Sequence, residues 1–199
     1  MTFNFMECSK HNSFYFGDVL TSQEMGEFLN WLHKEPDKDI FIYLDSVGGD
    51  YVTGINIYTT LMHFPKHVIT FNTNQCLSAS TLIYLAGDYR ISYKFSYFLV
   101  HEPRLINVEL RKKEFSRMSK YIIDADQEYL DIMVERTVKD RNFWSDLIKK
   151  ETVLTGEESF EYGLSNVLVT RNKTFLRDND NNIYEVKDFL TELTNCKEM

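Results

Sequence analysis

The stretch Asn74–Gly87, NQCLSASTLIYLAG, sets three candidate nucleophiles at the mouth of an apolar run: Cys76, Ser78 and Ser80. A serine at a strand-to-helix bend presents its Oγ at the sheet edge, and the N–H that follows it can face a developing oxyanion. Ser is equally a favoured helix N-cap, so either serine also reads as an ordinary helix start. The strict G-x-S-x-G elbow is absent. Two further places bear on the same chemistry. In DSVGGD (45–50), Gly48 and Gly49 follow an apolar run. Glycines there can take positive φ and turn N–H groups towards an anion or an oxyanion, or simply form a tight turn. His101 closes YFLVHEP (97–103). A histidine at the carboxyl end of a sheet strand stands where α/β folds place their sites, and a Ser–His couple needs both groups within hydrogen-bond reach. A structural histidine is the alternative.

The surrounding pattern must supply elements that position these groups. Asn12–Val19 is short and aromatic and reads as a strand ending at Gly17. Met25, Phe28, Leu29 and Leu32 recur at helical spacing, so a helix over 22–34 is predicted, with Ser22 as its cap and Pro36 beyond its end. DIFIYLDS (39–46) is apolar on both faces, as a buried parallel strand requires. A helical pattern follows within 47–64, then a strand at 67–73, a helix from the serine stretch, and one or two strands over 90–103. This alternation predicts an α/β layer fold. Phe115, Met118, Ile122, Ala125, Tyr129 and Ile132 then form a narrow stripe, so a long helix spans about 107–139. It lies either on the sheet or against the same arm of another subunit. A second helix covers 142–150, and residues 172–199 read as a small appendage, a hairpin followed by a short helix.

Composition excludes several classes. The 199 residues are 43% hydrophobic, enough for one core, and the net charge of −8 argues against a nucleic-acid binder. No 18-residue apolar run predicts a membrane span, and the N-terminus shows no secretory pattern. The cysteines, at 8, 76 and 196, form no C-x-x-C pair, so reduced thiols in a cytoplasm are expected rather than zinc or disulfides. No phosphate-binding glycine fingerprint occurs.

Four segments together carry a specific resemblance. IYLDSVGGDYVTGINIY (42–58) is similar to I-x-x-x-I-N-S-P-G-G-x-x-x-x-G-x-x-I-Y of the Clp protease proteolytic subunit family. NQCLSASTLIYLAG resembles its G-Q-A-A-S-M-(G/A)-x-x-L-L-x-A-G, and FLVHEP resembles its I-M-I-H-Q-P. LTGEESFEYGLSNVL (154–168) resembles its L-(S/T)-(A/P)-x-E-A-x-x-Y-G-L-(I/V)-D-x-(I/V). All four stand in family order at near-family spacing over roughly residues 12–170. The resemblance implies a ClpP/crotonase-like fold of β-β-α units around a mostly parallel sheet, with a handle helix at about 107–139. It divides the chain into a protease domain over 1–171 and an extension over 172–199.

Carried over by position, the resemblance makes Ser78 the nucleophile and His101 the general base, with the N–H groups of Gly49 and Ala79 as oxyanion donors and Gly48 supporting the turn. The family's acidic member lies eleven residues before the Tyr of Y-G-L, which here is Glu151; Asp146 is the fallback. The implied activity is serine endopeptidase chemistry on peptides or unfolded polypeptides within a homo-oligomer, with no metal or organic cofactor. Under this reading Cys76 is a small buried group and Ser80 a packed residue of the helix's first turn. Departures accompany the match. Val47 replaces Pro, Asn74 replaces Gly, and RLINVELRKK (104–113) lacks a Gly-rich strand. A short N-terminus and a C-terminal extension argue against the family's two-ring barrel and its AAA+ unfoldase partner. Two other readings stay open: a non-catalytic subunit of such an assembly, and a crotonase-type acyl-CoA enzyme.

Overall fold

The computed structural model describes residues 12–34, 37–104 and 111–187. Strand β1 (Ser13–Leu20) leads into α1 (Ser22–Leu32), followed by β2 (Ile40–Gly49), α2 (Tyr51–Met62) and β3 (Val68–Leu77). Then come α3 (Ser80–Leu85), β4 (Tyr89–Tyr93), β5 (Tyr97–Val100), the long α4 (Lys112–Arg136) and α5 (Arg141–Lys149). The short β6 (Thr152–Thr155), α6 (Gly156–Glu161) and β7 (Val167–Val169) precede a hairpin of β8 (Thr174–Arg177) and β9 (Ile183–Val186). The fold is the expected α/β class, with a mostly parallel sheet in the order β1-β2-β3-β4-β7-β8-β9. Pairing is parallel from β1 to β7 and antiparallel across β8 and β9.

The continuous apolar run of β2 explains the layering. Ile40, Ile42 and Leu44 belong to the main core, under α1 to α3, while Phe41 and Tyr43 point to the opposite face. That second face gathers Phe71, Ile91 and Val167, with Leu176 and Val186 of the hairpin packed against it. Alternating side chains buried on both sides are what a central parallel strand needs.

β3 forks, and the fork builds the site. Ile69–Asn72 pair with β4, whereas Gln75–Leu77 pair with β5. Between these segments the register against β2 slips, so Thr73, Asn74 and Gln75 stand opposite Asp45 alone. The slip is tied down by polar side chains. Asn72 Nδ2 donates to the Tyr97 carbonyl at 2.8 Å, Thr73 Oγ1 to the Leu44 carbonyl at 3.0 Å, and Asn74 Nδ2 to Asp45 Oδ1 at 3.0 Å. Strand β5 turns aside with β6, its antiparallel partner, leaving the end of β3 free to bend.

Several boundaries differ from the sequence reading, each for a local reason. β1 does not stop at Gly17; it continues to Leu20 through a bulge at Asp18, whose φ is 63°. The cap of α1 is Thr21, not Ser22: Thr21 and Glu24 form a reciprocal capping box, which satisfies two N–H groups at once. Pro36 lies outside the described residues. β3 runs to Leu77 rather than 73 because the fork gives its second half a new partner. The segment 90–103 resolves into two strands, β4 and β5. The elements β6, α6 and β7 have three to six residues each, too few to show a period.

The long helix divides into two environments. Ala125, Tyr129, Leu130, Ile132 and Met133 are buried, but Phe115 and Ile123 are 63% and 61% exposed. Of the stripe read from sequence, Ala125, Tyr129 and Ile132 are buried, Met118 and Ile122 are half-buried, and Phe115 stands in solvent. Residues 107–110 and the short helix expected near the C-terminus lie outside the described residues.

Arg90 knots three elements together. Its buried guanidinium donates to the carbonyls of Leu164, Gly87, Arg136 and Gly163, at 2.9 to 3.2 Å. Burial, and then the nearby Arg136 charge, hold its pKa down to about 10, so it stays protonated at neutral pH. Arg90→Met would leave those carbonyls without these donors in a dry site. We expect a loss of roughly 3 kcal/mol or more, read as a lower urea midpoint at unchanged m-value.

Candidate active site

Ser78 sits in the two-residue bend between β3 and α3, with φ of 57°. A non-glycine residue at positive φ is strained and persists only where its surroundings enforce it. Here β5 supplies part of that enforcement: the Ser78 N–H donates to the Leu99 carbonyl at 2.8 Å. The Ser78 carbonyl accepts from the Thr81 N–H at 2.9 Å and from Thr81 Oγ1 at 2.6 Å. Ala79 follows as the N-cap of α3, and its N–H has no partner among the described residues.

The other two candidates in this stretch take structural roles. Ser80 is fully buried and its Oγ donates to the Leu77 carbonyl at 2.7 Å. Cys76 is fully buried, and burial pushes its thiol up to about 12. It stays a neutral thiol near pH 7, whereas the thiolate is the nucleophilic form.

The two glycines remain within β2, paired with Val19 and Leu20, rather than forming a separate turn. Gly48, at φ 84°, backs directly onto the serine bend: a Cβ there would lie 2.4 Å from the Leu77 carbonyl oxygen and 2.8 Å from Ser78 Cβ. Gly49 is equally confined, since its Cβ would meet the Leu20 carbonyl oxygen at 2.4 Å. The bulge that creates this approach is locked by Ser46, whose Oγ donates to the Asp18 carbonyl at 2.7 Å and accepts from the Gly48 N–H at 3.1 Å. Asp50 then caps α2 by accepting from the Thr53 N–H at 2.9 Å. So the bulge of β1–β2 and the fork of β3 press the glycine and serine segments together.

His101 follows β5 directly. Its Nδ1 lies 2.7 Å from the Glu102 carbonyl oxygen. A carbonyl can only accept, so Nδ1 carries a proton, and in the neutral ring Nε2 then holds the lone pair. Ser78, His101, Gly48, Gly49 and Ala79 all line one pocket of about 850 Å³. Its walls are largely apolar, including Val47, Leu82, Leu99 and Met118.

The acidic candidates stand apart from that lining. Glu151, at φ 52°, directs its carboxylate to the guanidinium of Arg104, which does line the pocket. The strand register nevertheless brings its backbone near. The last β5–β6 pair is Val100 with Thr152, so the next step would face His101 with Glu151. Asp146 is exposed on α5 and does not line the pocket.

Three contributors to the site carry no sequence signal strong enough to find them. Arg104 is one. Thr81 and Tyr129 are the others, joined by a buried hydrogen bond of 2.8 Å between their hydroxyls. Tyr129 stood out only as part of an apolar stripe. Tyr51 adds a second link to α4: its hydroxyl lies 3.0 Å from the Ala125 carbonyl and 2.9 Å from Glu128 Oε2. Burial, and then the Glu128 carboxylate, raise the Tyr51 phenol well above its ordinary range. Among the described residues no three His, Cys, Asp or Glu side chains are grouped to hold a metal, and no helix is long and apolar enough to cross a membrane.

A mostly parallel α/β sheet thus gathers a strained serine, a histidine and a glycine bulge around one pocket. The family model described as Clp protease matches residues 18–172, and the chain belongs to that family. It is 28% identical to an ATP-dependent Clp protease proteolytic subunit of Bacteroides thetaiotaomicron, over 65% of this chain and 60% of the relative. It is 25% identical to ATP-dependent Clp protease proteolytic subunit 2 of Streptomyces coelicolor, over 78% of this chain and 72% of the relative. A third relative, the corresponding subunit of Porphyromonas gingivalis, is 27% identical over 70% and 63%. The chain thus spans about 60% to 72% of the length of these relatives.

Proposed function

We propose that the protein is a serine endopeptidase that cleaves peptides or unfolded polypeptides through an acyl-enzyme on Ser78. One observation carries the reading: Ser78, held at positive φ beside Gly48, shares its pocket with His101. His101 takes the Ser78 proton at Nε2, which the Glu102 carbonyl keeps available by holding the proton on Nδ1. The oxygen of the scissile carbonyl becomes an oxyanion facing the N–H groups of Ala79 and Gly49. His101 then protonates the leaving amine, and water attacks the acyl-enzyme with His101 again as base. Glu151 serves as the acid of the triad once its side chain turns from Arg104 to the imidazolium.

The apolar pocket walls favour an uncharged side chain next to the cleaved bond. The exposed first half of α4 supplies a surface for a homo-oligomer, in keeping with the word subunit in the relatives' names. The full chain should cleave an unstructured polypeptide at many positions, with new termini identified by mass spectrometry. It should lose that activity after treatment with a phosphonofluoridate. Cleavage that survives the probe, or no cleavage by the assembled protein, contradicts the proposal.

A further inference from the structure

We propose that Tyr129 and Thr81 are positioning residues, a buried relay from α4 that sets the peptide unit between Ser78 and Ala79; this rests on reading Ser78 as the nucleophile. The hydroxyl protons can be assigned by elimination. Thr81 Oγ1 lies 2.6 Å from the Ser78 carbonyl oxygen, which has no proton to give, so Thr81 donates there. The Thr81 hydroxyl has one proton, already spent. At the 2.8 Å contact with Tyr129, the phenol must therefore be the donor. The relay runs Tyr129 O–H to Thr81 Oγ1, and Thr81 O–H to the Ser78 carbonyl.

This geometry matters because of what the carbonyl is joined to. The Ser78 C=O and the Ala79 N–H belong to one planar peptide unit. Fixing the oxygen fixes the direction of that N–H, which points away from any partner among the described residues. It also holds Ser78 at φ 57°, a conformation that its side chain alone would not choose. Both hydroxyls act out of water: Tyr129 is 3% exposed and Thr81 fully buried. Burial raises the Tyr129 phenol above its ordinary range, so it remains a protonated donor at neutral pH. Because Tyr129 lies on α4, the same helix that projects Phe115 and Ile123 into solvent also holds the nucleophile's backbone.

The test uses the full chain and four variants. Tyr129→Phe keeps the ring and removes only the donor, so the pocket wall is unchanged. Peptide kcat and the rate of phosphonofluoridate acylation should fall together by about tenfold to a hundredfold, with KM unchanged. Thr81→Val should fall as far, and Thr81→Ser should restore the parental rate. The double variant Tyr129→Phe with Thr81→Val should be no slower than Thr81→Val alone, because the phenol acts only through Thr81. A purely structural role would lower the thermal midpoint and leave kcat intact. Parental kcat in Tyr129→Phe, or additive losses in the double variant, overturns the relay while leaving the peptidase reading standing. A parent that the probe labels at a residue other than Ser78 sinks both.

Discussion

Ser78→Ala abolishes peptide cleavage, with an expected fall in kcat of about five to six decades, the scale at which loss of a serine nucleophile leaves only binding and oxyanion stabilisation. The fold should survive. The hydrogen bonds that hold the bend, to Leu99 and from Thr81, are made by the Ser78 backbone and not by its hydroxyl. Matched thermal midpoints for parent and variant, with activity lost only in the variant, are therefore the expected pair of results. Ser80→Ala supplies the contrast. Its hydroxyl serves the Leu77 carbonyl, so about 1 kcal/mol of stability should go and the chemistry should remain. If Ser80→Ala or Cys76→Ala abolished cleavage while Ser78→Ala retained it, the nucleophile would be misassigned.

Glu151→Gln should lower kcat by about three to four decades, the loss expected when an imidazole no longer has a carboxylate to stabilise its charged form. The partner variant is more informative. Arg104 holds the Glu151 carboxylate in an exposed ion pair, and such pairs are weak. Arg104→Gln therefore costs little stability and releases Glu151 towards His101, so kcat should hold or rise. Should Glu151→Gln prove fully active, the Glu102 carbonyl alone orients His101 and the triad reading is wrong. A large loss in Asp146→Asn instead would move the acid to α5.

The sequence disclosed the parts of this fold that depend on period and composition. The doubly apolar run at 40–44, the helix over Met25 to Leu32 and the aromatic strand that leads into His101 are all visible because burial on one or both faces leaves a pattern. It also offered a small set of candidate residues, of which Ser78, His101, Gly48, Gly49 and Ala79 line one pocket. What stayed hidden depends on pairings between distant segments. The fork of β3 is invisible locally, since Thr73 to Gln75 look like ordinary strand or loop; only the arrival of β5 makes the bulge favourable. The same holds for Gly48, which the sequence could place in a turn but not against Ser78 Cβ. Tyr129 read as one more apolar position of a helix, because hydropathy does not register that its hydroxyl meets Thr81 across 48 residues of chain. Glu151 shows the opposite problem: its position in the chain is suggestive, but its side chain answers to Arg104, a neighbour that spacing could not reveal.

The central claim is that Ser78 is an activated nucleophile. Incubation of the full chain with a phosphonofluoridate, followed by intact-mass measurement and peptide mapping, tests it directly. The account predicts one adduct per chain, mapped to Ser78, formed by the parent and absent from Ser78→Ala and His101→Ala. An adduct on another residue, or no adduct under conditions that fully label a known serine peptidase, would contradict it.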